Sequence, residues 1–394
     1  MSVAFDYGVI KMKDMKATTT QEGKKIKVKS IIIKDEEITP TKRFWKSWQM
    51  RFKINDNVFK YFNPAEVFNR ISEVQPNDKI RYSIERIERA DGTKTKPRAL
   101  GVSNPSNPYI KIDSLINLLE ANQTDYDVKS GNPVLPSYSD GFIRSRHVPR
   151  NNEEFDISGD LFQNRYVIDT PIDGFGRPQI FISLLRLVCA NGAVAYSPTF
   201  RSEVSIGKKN DSVEFALSRM LQSFNSEEGF SALRQRFEAA GNSWASVNEA
   251  MKLQRTIIKI YNTKGFKSEV GKLILGNSSE NNQRNSMETT GIMKKFQELT
   301  GNMNSIYGVA NIDSLSEKKQ KTLPAGCKVY DLLNFTSELA SHYSIPSAAK
   351  TLQAYIGGIV SSEYDLEDTC KHYSDYKDFF IGNSSTADTL ASMA

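Results

Sequence analysis

The hydrophobic period of this chain changes once, and that change limits the folds open to it. Through the first half, apolar side chains tend to recur every second residue; after Asp211 they recur every third and fourth. A period of two marks half-buried strands, and a period near 3.6 marks amphipathic helices. The order therefore predicts an α+β protein, with an antiparallel β-rich N-terminal half followed by a helical C-terminal half.

In the first half, Lys25, Lys27 and Lys29 alternate with Ile26, Val28 and Ser30, and Ile31, Ile32 and Ile33 extend the run. Arg43 to Ile54 repeats the theme and is read as a second strand. Phe44, Trp48, Met50, Phe52 and Ile54 then share one face, while Arg43, Trp45, Arg51 and Lys53 share the other. Asn63-Pro64 predicts the start of a short helix through Val67, Phe68 and Ile71, because proline suits a first helical turn. Ile80, Tyr82 and Ile84 predict a strand, Asp91-Gly92 a turn, and Ala99 to Val102 the returning partner. A helix is expected at Ile112 to Leu119 and a strand at Tyr166 to Ile168. Ile180 to Cys189, then Asn191-Gly192, then Ala193 to Tyr196 predict a tight hairpin, since both central residues of a type I′ turn need positive φ.

In the second half, Val213, Leu217, Met220, Leu221 and Phe224 follow helical spacing. Further helices are expected at Ser231 to Ala239, Ser243 to Tyr261 and Thr289 to Leu299. A final pair, Val329 to Tyr343 and Ser347 to Val360, is parted near Ile345-Pro346. Gly276 to Ser286 is almost wholly polar and reads as a linker. The expected organisation is a flexible basic N-terminus (1–23), a β-rich domain (24–210), a helical region packed on it (211–361) and an acidic tail (362–394).

Charge is distributed unevenly. Residues 1–53 hold 13 Lys and Arg against 6 Asp and Glu, a net of +7, whereas the whole chain is +6. The stretch 362–394 holds 7 acids against 2 lysines. A basic head points to a polyanion partner. No apolar run approaches the roughly 20 residues of a membrane span, and three cysteines make no disulfide framework. A cytosolic, reducing compartment is the expected setting.

Little in the sequence promises catalysis. Cys189 ends a hydrophobic stretch and reads as a small buried residue rather than a nucleophile. Asn334, Glu338 and His342 share a helix face, which reads as packing. Cys370 and His372 have no second pair to complete a zinc site. Gly174-Phe175-Gly176 lacks the P-loop lysine and the dinucleotide-fold spacing, and reads as a turn. No cofactor, metal or catalytic residue is assigned; a metal-dependent nuclease built from distant carboxylates is the remaining enzymatic reading.

Several short motifs occur in a familiar order. Asn63-Pro64-Ala65-Glu66-Val67-Phe68 comes first, then Gly159-Asp160-Leu161, then Leu187-Val188-Cys189-Ala190-Asn191-Gly192, then the segment from Gly326 to His342 with its Asn334, Thr336 and Glu338. In this order the chain, over residues 55–360, resembles the phage/plasmid-like domain-of-unknown-function 932 family. The early Trp-His-Gly element frequent in that family is absent, and Trp45 and Trp48 stand in its neighbourhood. The resemblance implies a phage or mobile-element setting.

The basic head has the composition of a nucleic-acid surface. Lysines neutralise phosphates and release counterions, and aromatic rings stack on exposed bases. The candidate binding residues are Lys25, Lys27, Lys29, Lys42, Arg43, Trp45, Lys46, Arg51 and Lys53, with Arg144 and Arg146 from a basic cluster that includes His147 and Arg150 and is read as a loop. Trp48 is expected in the core. Trp45 has two readings, core residue or stacking platform, and the second places it in the site. If the two basic strands pair, they form a cationic sheet face suited to single strands. The expected function is phage-encoded single-stranded DNA binding, with strand annealing as an extension and a homo-oligomer as a possible form. The aromatic-bearing acidic tail would recruit replication or transcription proteins. The alternative is an interaction or virion protein that binds no nucleic acid.

Overall fold

The computed structural model describes residues 2–22, 25–88, 92–122, 136–139, 141–149, 152–187, 191–195, 200–203, 213–224, 226–266 and 291–366. It has the α+β class expected, with the two large sheets mostly in the N-terminal half and most helices in the C-terminal half.

The first sheet has six strands: β1 (Ser2–Lys11), β2 (Met15–Glu22), β3 (Lys25–Ile33), β4 (Glu36–Pro40), β5 (Lys79–Glu88) and β6 (Arg98–Ser103), in the order β1-β5-β6-β4-β3-β2. Its pairings are antiparallel except for a short parallel contact of β4 with β6. Within the stretch read as a flexible head, Ser2–Lys11 and Met15–Glu22 are strands. Ser2 to Lys11 pair with Glu88 to Lys79 along their whole length, and Met12, Met15 and Ala17 are buried. β1 finds its partner some seventy or more residues away, while the threonine-rich β2 pairs with the neighbouring β3.

Two helices cover this sheet, α1 (Lys42–Arg51) and α2 (Pro64–Val74). The strand read over Arg43 to Ile54 is therefore corrected to a helix. Thr41 caps it, accepting from the Phe44 amide at 3.1 Å while its own hydroxyl donates to Leu100 O. Ser47 Oγ accepts from the Val102 amide at 2.9 Å, tying α1 to β6. Phe44 and Trp48 are fully buried with Phe68 of α2 and the Ile31, Ile33 and Ile38 side chains of the sheet. Asn63 and Glu66 form the capping box of α2, with Pro64 in its first turn as expected.

The second sheet runs β12-β11-β10-β8-β7, from β7 (Ser137–Ser139), β8 (Phe142–His147), β10 (Asp160–Pro171), β11 (Gln179–Arg186) and β12 (Asn191–Val194). Strand β9 (Glu154–Ile157) joins β10, and β13 (Arg201–Glu203) joins β11. The hairpin of β11 and β12 exists, but its turn is not Asn191-Gly192. The register pairs Arg186 with Asn191 and Leu185 with Gly192, so both residues belong to the strand. Cys189 lies outside the described residues. Gly174 and Gly176, at φ +70° and +105°, do form a turn, between β10 and β11.

Helices α3 (Ile112–Ala121), α4 (Val213–Ser223), α5 (Glu227–Asn242), α6 (Val247–Asn262), α7 (Gly291–Thr300), α8 (Met303–Ile306), α10 (Val329–Glu338) and α11 (Pro346–Val360) share one core with the second sheet, and the short polar α9 (Glu317–Thr322) lies outside that cluster. A small ribbon, β14 (Trp244–Ser246) with β15 (Pro324–Lys328), lies among them. The first sheet keeps a separate core ending at Val102. The linker read at Gly276 to Ser286 and the acidic tail beyond residue 366 lie outside the described residues. No helix among the described residues is long and apolar enough to cross a membrane.

The basic cluster at Arg144 to His147 is strand β8, not a loop. His147 is fully buried, stacked on Tyr166 with centroids 5.2 Å apart, and its Nε2 lies 2.8 Å from Ser145 Oγ. Burial pulls its imidazole down to about 4, partly offset by a backbone hydrogen bond with Asn122. The folded state thus binds fewer protons than the unfolded chain between its pKa and the ordinary histidine value near 6.5. Stability from this site is complete above about pH 6.5 and falls as pH drops toward 4, by about 3 kcal/mol. Urea midpoints at pH 7 and pH 4.5 measure this, and His147→Gln flattens the slope.

Candidate functional site

The residues assigned to binding separate into three groups once placed in the fold. The first is structural. Arg43 reaches out of α1 to the second sheet, where Nε and Nη2 donate to Asp173 at 2.5 and 2.9 Å, and Nη2 also donates to Phe175 O. Asp173 is fully buried, and the guanidinium sits 4.2 Å from the Phe142 ring centroid. Arg144 is held likewise by the buried Asp169 at 2.8 and 3.0 Å and by Gln353 of α11. Both arginines neutralise interior carboxylates and join elements of the fold, so neither belongs to an open cationic surface.

The second group lies apart. Strand β3 pairs with β2 and β4, not with the Trp45 segment, so the expected cationic sheet face does not form. Lys29 is exposed and pairs with Glu37 at 3.2 Å across the sheet. Lys25 and Lys27 stand in β3, but their side chains lie outside the described residues. Arg146 is on β8 opposite Val167. Arg51 meets Asp78 at 3.4 Å and lies over Phe52.

The third group converges. Lys42, Trp45, Lys46 and Gln49 stand at helical spacing on one side of α1, and with Met50, Lys53 and the following residues 54–56 they line a groove of about 710 Å³. Among the described residues Lys42, Lys46 and Lys53 form no ion pair within 4 Å. Trp45 is half-buried: its ring meets those of Phe44, Trp48 and Phe68 edge-on at 5.4, 5.8 and 6.0 Å, and the remainder faces the groove. Trp45 thus packs on the core with part of its ring and lines the groove with the rest, and Trp48 is core as expected.

The end of α1 shapes the groove. Lys53 adopts φ +52°, Lys53 N donates to Met50 O, and Ile54 N donates to Gln49 O at 2.9 Å. This is the double hydrogen bond that closes many helices, with lysine where glycine is favoured. It turns the chain back so that residues 54–56 wall the groove. Lys53→Gly should therefore leave stability unchanged or raise it by up to about 1 kcal/mol, while removing one groove cation. Paired denaturation and binding curves would separate the two effects.

A second, polar cleft of about 410 Å³ gathers Asp160, Tyr330, Asn334 and Glu338 from the motif segments, with Arg186 beside them. Arg186 pairs with Asp160 at 2.5 Å, and the Tyr330 hydroxyl donates to Asp160 at 2.6 Å. Asp160 is thereby satisfied, and the cluster locks α10 to β10 and β11. His342 lies beyond it in the π-helical turn Leu339–Tyr343. Cys327 is buried, which pushes its thiol up and away from nucleophilic use. No group of three metal-ligating side chains occurs among the described residues.

Fold and site together define an α+β protein carrying an open, lysine-lined groove with an indole in its wall. Comparison with family models, with characterised proteins and with solved structures finds no match.

Proposed function

We propose that this protein binds single-stranded DNA along the α1 groove, in phage replication, recombination or transcription. The observation that carries the reading is the row Lys42, Trp45, Lys46 and Lys53, whose cations have no acidic partner among the described residues and flank a half-open indole. From Lys42 to Phe62 the sequence has six Lys and Arg against one Asp. Unpaired lysines attract phosphates without sequence preference. A partly exposed ring offers a stacking face to bases that a duplex would hide.

Fluorescence anisotropy with a labelled single strand across a salt series tests the proposal. Each phosphate neutralised contributes about −0.7 to the slope of log K against log salt. Three groove lysines therefore predict a slope of about −2 or steeper, with weaker binding to a duplex of the same sequence. Absence of binding at about 50 mM salt, where such contacts are strong, would contradict it.

A further inference from the structure

The segment that leaves the groove carries an unusual surface. After the wall at residues 54–56, a short helical turn, Asp56–Lys60, is capped by Asn55 and leads to Tyr61 and Phe62. Their backbone amides both donate to Val58 O, and Asn63 then caps α2, so the pair is fixed between two capped elements. Yet Tyr61 is 82% exposed and Phe62 59%, and Met50 at the groove is 62% exposed. Large apolar side chains held in solvent contribute little to folding, and a contiguous group of them marks a contact surface.

We infer that Tyr61 and Phe62 are a base-stacking platform that continues the α1 groove and gives the site its preference for unpaired strands. The inference rests on the reading of the groove as a DNA site. The occupant is argued from charge: the aromatic pair follows Lys60 directly, within six residues of the groove wall that ends at Asp56, and the groove itself carries Lys42, Lys46 and Lys53, so an apolar peptide would lack partners for the cations. A single strand supplies both parts, phosphates to the lysines and ring faces to the aromatics.

The test compares an oligothymidine of about 12 nucleotides, within the usual site-size range, with an abasic oligomer of the same length. The wild type should bind the thymidine strand at least about 10-fold more tightly, the gain expected from stacking one or two bases. Y61A/F62A should lose most of that preference while its affinity for the abasic strand stays within about 2-fold, and Y61F/F62Y should keep it. A double alanine variant that retains the full base preference would overturn the platform and leave the groove reading standing. Failure of the wild type to bind either oligomer would overturn both. A thermal midpoint for Y61A/F62A equal to the wild type is expected from the exposure of the pair.

Discussion

Arg43→Ala should destabilise the protein by about 3–5 kcal/mol, the range for stranding a buried charge. A basic residue the sequence assigns to binding is one the fold depends on. Asp173 is fully buried and takes two donors from the Arg43 guanidinium. The Phe175 amide also donates to it at 2.9 Å. Removing Arg43 also removes the cation between Phe142 and Phe175. A paired apolar replacement, Arg43→Met with Asp173→Leu, should recover much of the loss, because neither charge then needs burial compensation. Urea denaturation of the three proteins measures this, and a loss below about 1 kcal/mol for Arg43→Ala would show that the pair is merely a surface contact.

The second large effect is on binding. Replacing Lys42, Lys46 and Lys53 together by alanine removes three cations that have no structural partner among the described residues. Counterion release makes the loss depend on salt: three contacts at about 0.7 each flatten the log–log slope by about 2. Extrapolated toward 1 M salt the variants converge, so at about 0.1 M the triple variant should bind about 100-fold more weakly. Its stability should change little, in contrast to Arg43→Ala. A triple variant that binds with the wild-type slope would place the DNA contacts elsewhere on the chain.

The helix α1 shows why part of this was readable from sequence and part was not. Aromatic residues favour strands, and alternate positions from Arg43 to Ile54 fit a period of two well enough to suggest one. The helical signal was also present: Phe44, Trp45, Trp48 and Phe52 are spaced one, four and eight, and Thr41 precedes them as a capping residue. The wrong period then grouped the wrong cations. It set Arg43 and Arg51 beside Trp45, whereas a helix sets Lys42, Lys46 and Gln49 there. Tyr61 and Phe62 gave no signal of their exposure, because adjacent aromatics read as core until the capped turn that presents them is known.

Long-range partners account for the other differences. Arg43 lies 130 residues from Asp173, and Arg144 lies 25 from Asp169; no local pattern reports such a pair. Strand β1 finds β5 only after three other strands and two helices have intervened. By contrast, β3, α2, the pairing of β5 with β6, and α11 after Pro346 were legible, since each is set by a short-range period or a cap. The Asn191-Gly192 pair is a useful exception. It is a strong turn signal, yet the register of β11 with β12 places it inside the strand.

Photo-cross-linking is the most direct measurement of the central claim. A bromouridine-substituted single strand, bound at low salt and irradiated, should leave adducts that peptide mapping confines mainly to residues 42–62, with Trp45 among them. Adducts confined to other segments, or none under conditions where the strand is bound, would contradict the assignment of the α1 groove.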